Sequence, residues 1–322
     1  MNIPTDTSDA FKLVDSYLQQ VKESIYGHLA QVNDTVGRLL KNFDICSGKM
    51  IRPAMVLLAG RCCGQVTDKH IFIAAIIEII HNATLLHDDV VDEGQKRRDV
   101  PTINSLWGNE SAVLLGDFLF SKACLMSAEL EPQISKIVAV AMEQICQGEL
   151  SQIANRQNWN LTETEYTDII IDKSASLFRT SCYLGAVLAD ADKSKTEAMA
   201  DFGLNTGIAF QITDDLLDIT ADESETGKTG GRDIDKNKLT LSVIHLLKAA
   251  DENQKSEIID RLKDNDIAYL SGRLREAGSF EYTINRARKY VETAIEALSV
   301  FGDSDTKDVL IETARAVARR VD

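Results

Sequence analysis

Apolar residues recur at helical spacing along almost the whole chain. Two long examples are FIAAIIEIIHNATLLHDDV, which starts at Phe72, and AMADFGLNTGIAFQITDDLLDI, which starts at Ala198. Alternating strand patterns and Asn-Gly hairpin turns are missing. We therefore predict an all-α protein of roughly ten to thirteen helices. Breaks are expected near residues 44–49, 94–109, 156–161, 190–194, 221–237 and 302–305.

The predicted helix at residues 70–92 is apolar on nearly all sides. Such a helix is expected to pass through the middle of a helical bundle. No low-complexity segment or linker divides the sequence, so we predict one domain over residues 1–322. The glycine-rich, charged stretch 220–238, TADESETGKTGGRDIDKNK, predicts a mobile loop that could close over a substrate.

Composition narrows the class of protein. A chain of 322 residues with 44% hydrophobic content can bury a large core, and it has no apolar run long enough to predict a membrane span. The first residues lack the pattern of a signal peptide, and the six cysteines show no CxxC spacing, so we expect a cytoplasmic protein with reduced thiols. The net charge of −15 argues against nucleic acid as a partner.

Two aspartate motifs carry the candidate chemistry: DDVVD (Asp88, Asp89, Asp92) and DDLLD (Asp214, Asp215, Asp218). Each ends a long apolar helix, where positions i, i+1 and i+4 share one side and repel one another. Carboxylates without histidine or cysteine ligands suit Mg²⁺, which commonly bridges them to phosphate oxygens. Solvated helix ends are the alternative interpretation, and the second copy weakens it. We predict two acidic faces that hold a diphosphate through Mg²⁺.

Basic residues are expected to contact the phosphate oxygens directly. Any one of them is most simply a solvated surface charge, but together they would supply charge-assisted hydrogen bonds. They are Lys49 and Arg52 in SGKMIRP, Arg97 and Arg98 in QKRR, Lys228 in the glycine-rich loop, and Lys173 and Lys238 at the starts of other helical stretches.

These motifs resemble the trans-polyprenyl diphosphate synthases, which elongate prenyl chains head to tail. The resemblance covers most of the chain through GKMIRP, IEIIHNATLLHDDVVDEGQKRR, GNESAVLLGDFLFSKA, GEL, IDKSASLF, GIAFQITDDLLDI, GKTGGRDIDKNKLTL and ETARAVARRVD. It implies an isoprenoid-synthase-type helical bundle with a central cavity, usually a homodimer. The two aspartate motifs would face each other across the cavity mouth.

The resemblance also implies a role for each site residue. The six aspartates would serve three Mg²⁺ ions that hold an allylic diphosphate, which Arg97, Lys173, Lys228 and Lys238 would contact directly. Isopentenyl diphosphate would be held by Lys49, Arg52, His81 and Arg98. Gln211 and Ser174 would flank the carbocation that forms when the allylic C–O bond ionises.

Product length is expected to depend on residues that precede Asp88. Thr84 and Ala83 are small, whereas large aromatic residues there close the pocket in short-chain members of the family. Ile80, Ile77 and Ile76 would line the tunnel, with Leu119, Phe120, Ala123 and Met126 on the opposing wall; ordinary core packing is the alternative for each. We predict products of about thirty to fifty carbons, used as quinone side chains, since each open helical turn could admit roughly one prenyl unit.

Several other functions are considered. A short-chain synthase, a class I terpene cyclase and a non-catalytic partner subunit of a heteromeric synthase are kept as alternatives. A cyclase would normally carry Asn, Ser or Thr, and Glu in the second motif, and silent partners tend to lose aspartates. A di-iron bundle would use Glu78 and His81 but needs a second Glu-x-x-His motif, which is absent. A nucleotide phosphate loop at GKT is rejected because Asp222 replaces the required glycine.

Overall fold

The computed structural model describes residues 11–97, 100–220 and 232–321. Helices dominate them, which confirms the all-α prediction. The helices of the first half are α1 (Asp15–Leu29), α2 (Asp34–Lys41), α3 (Ile51–Cys63), α4 (Asp68–Val91), α5 (Ile103–Trp107), α6 (Asn109–Ser127) and α7 (Pro132–Ala154). A two-stranded antiparallel hairpin, β1 (Lys96–Arg97) with β2 (Val100–Pro101), follows α4 and was not predicted.

The second half is also helical. Its helices are α8 (Glu163–Ile170), α9 (Ser176–Leu188), α10 (Lys193–Thr220), α11 (Arg232–Asp235), α12 (Leu241–Ala249), α13 (Glu252–Lys263), α14 (Ile267–Glu276), α15 (Ser279–Ala297) and α16 (Asp305–Ala318). A π-helical turn, Ile171–Ala175, joins α8 to α9, and 3₁₀ turns lie at Phe11–Val14, Leu298–Val300 and Arg319–Val321. The described residues form sixteen α-helices, more than the predicted ten to thirteen, and two of them, α5 and α11, lie in stretches interpreted as breaks.

The chain divides into two compact units. Unit 1 comprises Met1–Met142, Leu177–Gly203 and Ala297–Thr313, and unit 2 comprises Glu143–Ser176, Leu204–Glu296 and Ala314–Asp322. The first aspartate motif belongs to unit 1 and the second to unit 2. The single-domain assignment therefore stays a prediction.

The core of unit 1 is built around α4, which packs most extensively against α6 and also against α1 and α3. Ile73, Ile77 and Ile80 of α4 have no exposed surface, as expected for a helix that is apolar on nearly all sides. Among the described residues, α4 is the one helix long and apolar enough to cross a membrane by length and composition. Since 67% of its most apolar stretch is buried in the protein, it fits a core helix equally well.

The start of α4 is fixed by a buried histidine. Nδ1 of His70 accepts hydrogen bonds from the backbone N–H (3.1 Å) and the hydroxyl (2.9 Å) of Thr67, and Nε2 donates to the carbonyl of Gly185 at 3.1 Å. The ring lies against Gly60, where a Cβ atom would come within 2.4 Å of it. Burial lowers the pKa of His70 from its usual 6.5.

Unit 2 has its own hydrophobic core. Fully buried side chains of α8, the second half of α10, and α12 to α15 meet there, among them Ile170, Ile212, Val243, Ile258 and Leu270. Tyr166 of α8 lies in the same cluster and carries a hydroxyl group into it. A buried hydroxyl needs a partner, which the second aspartate motif provides.

We expect the stability of the protein to depend on pH through His70. Because its pKa is lowered in the folded state, its contribution is complete above pH 6.5 and is lost as the pH falls below that value. The free energy of unfolding should fall by up to about 1.4 kcal/mol per pH unit more steeply than in His70→Gln. Urea unfolding followed by circular dichroism between pH 5 and 8 measures the difference. Parallel pH profiles for the two proteins would contradict the expectation.

Candidate active site

Helix α4 ends within the first aspartate motif, and hydrogen bonds fix the backbone turn that follows. The backbone N–H of Asp92 donates to the carbonyl of Asp88 at 2.8 Å, and that of Gly94 donates to the carbonyl of Asp89 at 2.8 Å. The buried side-chain amide of Asn104 donates to the carbonyls of Asp89 (3.1 Å) and Gly94 (3.0 Å). These bonds satisfy carbonyls that the end of a helix would otherwise leave without partners.

Asp89 is paired with an arginine of the hairpin. Nε and Nη2 of Arg97 donate to Asp89 Oδ1 at 3.1 and 2.8 Å, and Nε also lies 3.2 Å from Oδ2. Asp89 is 5% exposed, whereas Asp88 and Asp92 are partly exposed. The chain therefore offsets one buried charge of the motif with a forked, charge-assisted contact. Arg98, the neighbouring predicted phosphate contact, lies outside the described residues.

Two residues predicted to hold isopentenyl diphosphate lie together in unit 1. Nη1 of Arg52 donates to Nε2 of His81 at 3.2 Å, and the guanidinium group of Arg52 lies 4.4 Å from the ring centroid of Phe178. The aromatic ring stabilises this cation beside the histidine. Lys49, the third predicted residue here, is exposed and lies two residues before helix α3.

Asp215 of the second motif accepts two short hydrogen bonds. The hydroxyl of Tyr166 and Nε2 of Gln211 each donate to it at 2.6 Å, and the hydroxyl of Ser174 donates to Gln211 Oε1 at 2.6 Å. Burial raises the pKa of Asp215 to about 6; its two donors oppose the rise, and the charges of Asp214 and Asp218 add to it. Burial, together with the charge of Asp215, also raises the pKa of Tyr166.

The two outer aspartates of the second motif contact different parts of unit 2. Nη2 of Arg320 donates to Asp214 Oδ1 at 3.2 Å, with the guanidinium group 5.2 Å from the ring centroid of Phe210. Oδ2 of Asp218 accepts the backbone N–H of Asp233 at 2.9 Å. The buried ammonium group of Lys238 lies 3.8 Å from Asp233 Oδ1, so Asp233 connects this predicted phosphate contact to the motif.

Lys173 lies in the π-helical turn of unit 2. Its ammonium group forms an ion pair with Glu149 and donates to Gln152 Oε1 at 2.8 Å. Gly148 makes the approach possible, because a Cβ atom there would lie 2.2 Å from the backbone nitrogen of Lys173. Isolated π-helical turns are frequent at functional sites, where they redirect a side chain.

The donor atoms of both motifs fit Mg²⁺ because all of them are carboxylate oxygens. Within residues 11–97, 100–220 and 232–321, no three His, Cys, Asp or Glu side chains are close enough to hold a metal ion by themselves.

Sequence reasoning assigned no role to five residues that contact the predicted site: Glu149, Gln152, Tyr166, Asp233 and Arg320. Only the i, i+3 spacing of Glu149 and Gln152 could have indicated a shared polar helix face. The other contacts join residues far apart in sequence. Lys228, which was predicted to contact the diphosphate, lies outside the described residues.

The predicted chain-length residues lie on α4 and α6, which pack together. Ile76, Ile77, Ile80, Ala83, Leu119 and Ala123 have no exposed surface, and Met126 is 1% exposed. Thr84 and Phe120 are partly exposed. Side chains of a tunnel wall and of an ordinary packed core would both be buried, so burial does not distinguish the two interpretations. A substitution is needed to do so.

Comparison with known proteins identifies the family. Residues 35–271 match the polyprenyl synthetase family. Octaprenyl diphosphate synthase of Escherichia coli is 36% identical over 85% of this chain and 86% of that protein. A short chain isoprenyl diphosphate synthase of Methanothermobacter thermautotrophicus is 31% identical over 97% of this chain and 99% of its own.

A solved structure is also similar. Polyprenyl synthase from Caulobacter crescentus, crystallised with calcium and isoprenyl diphosphate, matches with a TM-score of 0.92 and 32% identity, covering 99% of this chain and 100% of its own. The chain belongs to the polyprenyl synthetase family. Its fold is the helical isoprenoid-synthase fold, and its activity is that of a prenyltransferase, a prenyl diphosphate synthase.

We expect the raised pKa of Asp215 to make the folded protein less stable as the pH rises, whereas a typical carboxylate makes it more stable. In metal-free protein the contribution of Asp215 to the free energy of unfolding is complete below pH 3.8 and is lost as the pH rises through about 6, because ionisation of the buried carboxyl group is costly. Asp215→Asn should therefore become more stable relative to the parent between pH 4 and 7. Thermal unfolding in the presence of EDTA measures this, and a difference that stays constant across that range would contradict it.

Proposed function

We propose that this protein condenses isopentenyl diphosphate with an allylic diphosphate in a Mg²⁺-dependent reaction that yields a long-chain all-trans polyprenyl diphosphate. The observation that carries the proposal is the pair of carboxylate motifs, each with its middle aspartate held by side chains of the protein. Arg97 holds Asp89, and Tyr166 with Gln211 holds Asp215. Such support orients the carboxylate oxygens of each motif before any ligand arrives.

The six aspartates are the proposed metal ligands. Asp88, Asp92, Asp214 and Asp218 would bind the ions, and Asp89 and Asp215 would also orient the two motifs through their hydrogen bonds. When bound, Mg²⁺ would act as a Lewis acid that stabilises the negative charge on the departing diphosphate. Three ions are expected from the family resemblance.

The basic residues would bind the two substrates. Lys173 is partly buried and paired with Glu149, and Lys238 is buried and paired with Asp233. A phosphate group would therefore compete with these carboxylates for the two ammonium groups. Together with Arg97 and Lys228 they would contact the allylic diphosphate. Lys49, Arg52, His81 and Arg98 would hold isopentenyl diphosphate.

The proposed reaction needs no protein nucleophile. The allylic C–O bond breaks with its electron pair leaving on diphosphate, and the isopentenyl double bond forms the new C–C bond. Loss of a proton, for which released diphosphate is the proposed acceptor, restores an allylic diphosphate one unit longer. Gln211, which donates to Asp215, and Ser174, which donates to Gln211, would place dipoles beside the cation.

A long product is proposed from the small residues before the first motif. Ala83 and Thr84 leave α4 without an aromatic side chain at the level where one would close the pocket. Products of about thirty to fifty carbons, destined for quinone side chains, would follow if roughly one prenyl unit is added per open helical turn.

A homodimer in the cytoplasm is the proposed state of the protein. Unit 1 exposes large apolar side chains on and near α6, namely Leu106, Trp107, Leu114, Leu125 and Val140. Leu114 and Leu125 lie three turns apart on one side of α6 and are 66% and 63% exposed. A second copy would remove these groups from water.

The activity is tested with purified protein, farnesyl diphosphate, isopentenyl diphosphate and Mg²⁺. We expect consumption of isopentenyl diphosphate, loss of activity with EDTA, and kcat values about 10²-fold or more lower in folded Asp88→Ala and Asp214→Ala. Failure to consume isopentenyl diphosphate would favour a cyclase or a partner subunit. Products that stop at fifteen or twenty carbons would favour a short-chain synthase.

Thr84→Phe tests the chain-length assignment. A phenyl group at this partly exposed position should block the growing tail and shorten the main product by several prenyl units. Thr84→Val, which has nearly the parent volume, is the matched control and should keep the product length. Product analysis by mass spectrometry decides, and an unchanged length distribution in Thr84→Phe would assign these residues to core packing.

A further inference from the structure

His87, the residue before the first aspartate of the motif, lies directly over a glycine of helix α6. A Cβ atom at Gly116 would lie 2.3 Å from Nε2 and 2.6 Å from Cδ2 of the imidazole ring. Ordinary contact begins at about 3.4 Å, so even a methyl group would displace the ring by about 1 Å. A side chain at this position would therefore force the imidazole ring of His87, which is 30% exposed, to move from the place it occupies.

The ring is held by one face of α6. Nε2 donates to the backbone carbonyl of Val113 at 3.1 Å and lies 3.3 Å from Oδ1 of Asp117, and the ring centroid lies 5.6 Å from that of Phe120. Positions 113, 116, 117 and 120 share one side of a helix, at i, i+3, i+4 and i+7. These contacts from one helix face favour the rotamer that His87 adopts, and the rest of the ring stays partly exposed.

We propose that His87 and Gly116 form a brace that positions Asp88 for metal binding, with His87 acting as a positioning residue. The last turn of α4 carries both His87 and the aspartates, so the imidazole fixes how closely and at what rotation that turn meets α6. A displacement of about 1 Å near reacting groups can lower a rate by about 10²-fold. The brace depends on the proposed function only in that Asp88 is taken as a metal ligand.

A double-mutant cycle tests the brace in the full-length protein. Gly116→Ala should lower kcat by about tenfold or more and raise the Mg²⁺ concentration for half-maximal activity, because the new methyl group pushes the ring and Asp88. His87→Ala should give a smaller loss. In the His87→Ala background, Gly116→Ala should cost no more than about twofold, since the ring that it strikes is gone.

Two further variants serve as controls. Gly27→Ala on α1 has no atom within 4 Å of the added Cβ and should keep parental activity, which shows that helical glycine replacement alone is harmless. His87→Gln can place an amide nitrogen near the Val113 carbonyl and should recover part of the activity lost in His87→Ala. Circular dichroism and thermal unfolding establish that each variant is folded. The rise in unfolding temperature on addition of Mg²⁺ and inorganic diphosphate measures metal binding apart from activity, and it should be smaller in Gly116→Ala and in His87→Ala than in the parent.

Two results would overturn the brace. One is an equal penalty of Gly116→Ala in both backgrounds, which would mean general damage to the packing of α4 on α6. The other is a His87→Ala protein with the Mg²⁺ dependence of the parent, which decides the matter even if Gly116→Ala fails to fold. Failure of the proposed function is distinguishable, because the parent protein itself would then show no Mg²⁺-dependent consumption of isopentenyl diphosphate.

Discussion

Repulsion between neighbouring carboxylates at the ends of apolar helices is the constraint on which the site depends. An uncompensated charge of this kind is costly where solvent is partly excluded. The charge of the middle aspartate is compensated differently in the two motifs. Asp89 is balanced by the cation of Arg97, whereas Asp215 has neutral donors, Tyr166 and Gln211, and a raised pKa. The middle aspartates of the two motifs therefore have different settings, one ionic and one dipolar, while the cation of Arg320 contacts Asp214 in the second motif.

Some of the groups that support the aspartates come from irregular parts of the fold. Arg97 is presented by a hairpin of two residues per strand, and Ser174, which supports Gln211, lies in the π-helical turn. The middle aspartate of the first motif thus has a partner on a short connecting segment, whereas the donors to Asp215, Tyr166 and Gln211, lie on the regular helices α8 and α10. Only the first case follows the general tendency of binding groups to lie on short connecting segments that a rigid scaffold positions.

Periodicity predicted the scaffold and the aspartates but not their partners. The apolar pattern of α4 and α10 follows from 3.6 residues per turn, so both helices and their acidic ends were predictable. The hairpin at Lys96–Arg97 is too short for an alternating pattern to show. The bond from Tyr166 to Asp215 joins residues 49 positions apart, and only the tertiary fold of unit 2 brings them together. The same is true of His87 and Gly116, since no local signal links one helix to the other.

The contact between Gly148 and the backbone of Lys173 has a consequence for recombination among relatives. Because a backbone nitrogen occupies the place where a side chain at residue 148 would begin, α7 and the π-helical turn are complementary surfaces. A chimaera that took the helix from one parent and the turn from another would retain this fit only if the parent of the helix had glycine at residue 148. Where that parent has another residue, the two segments should be exchanged as one block.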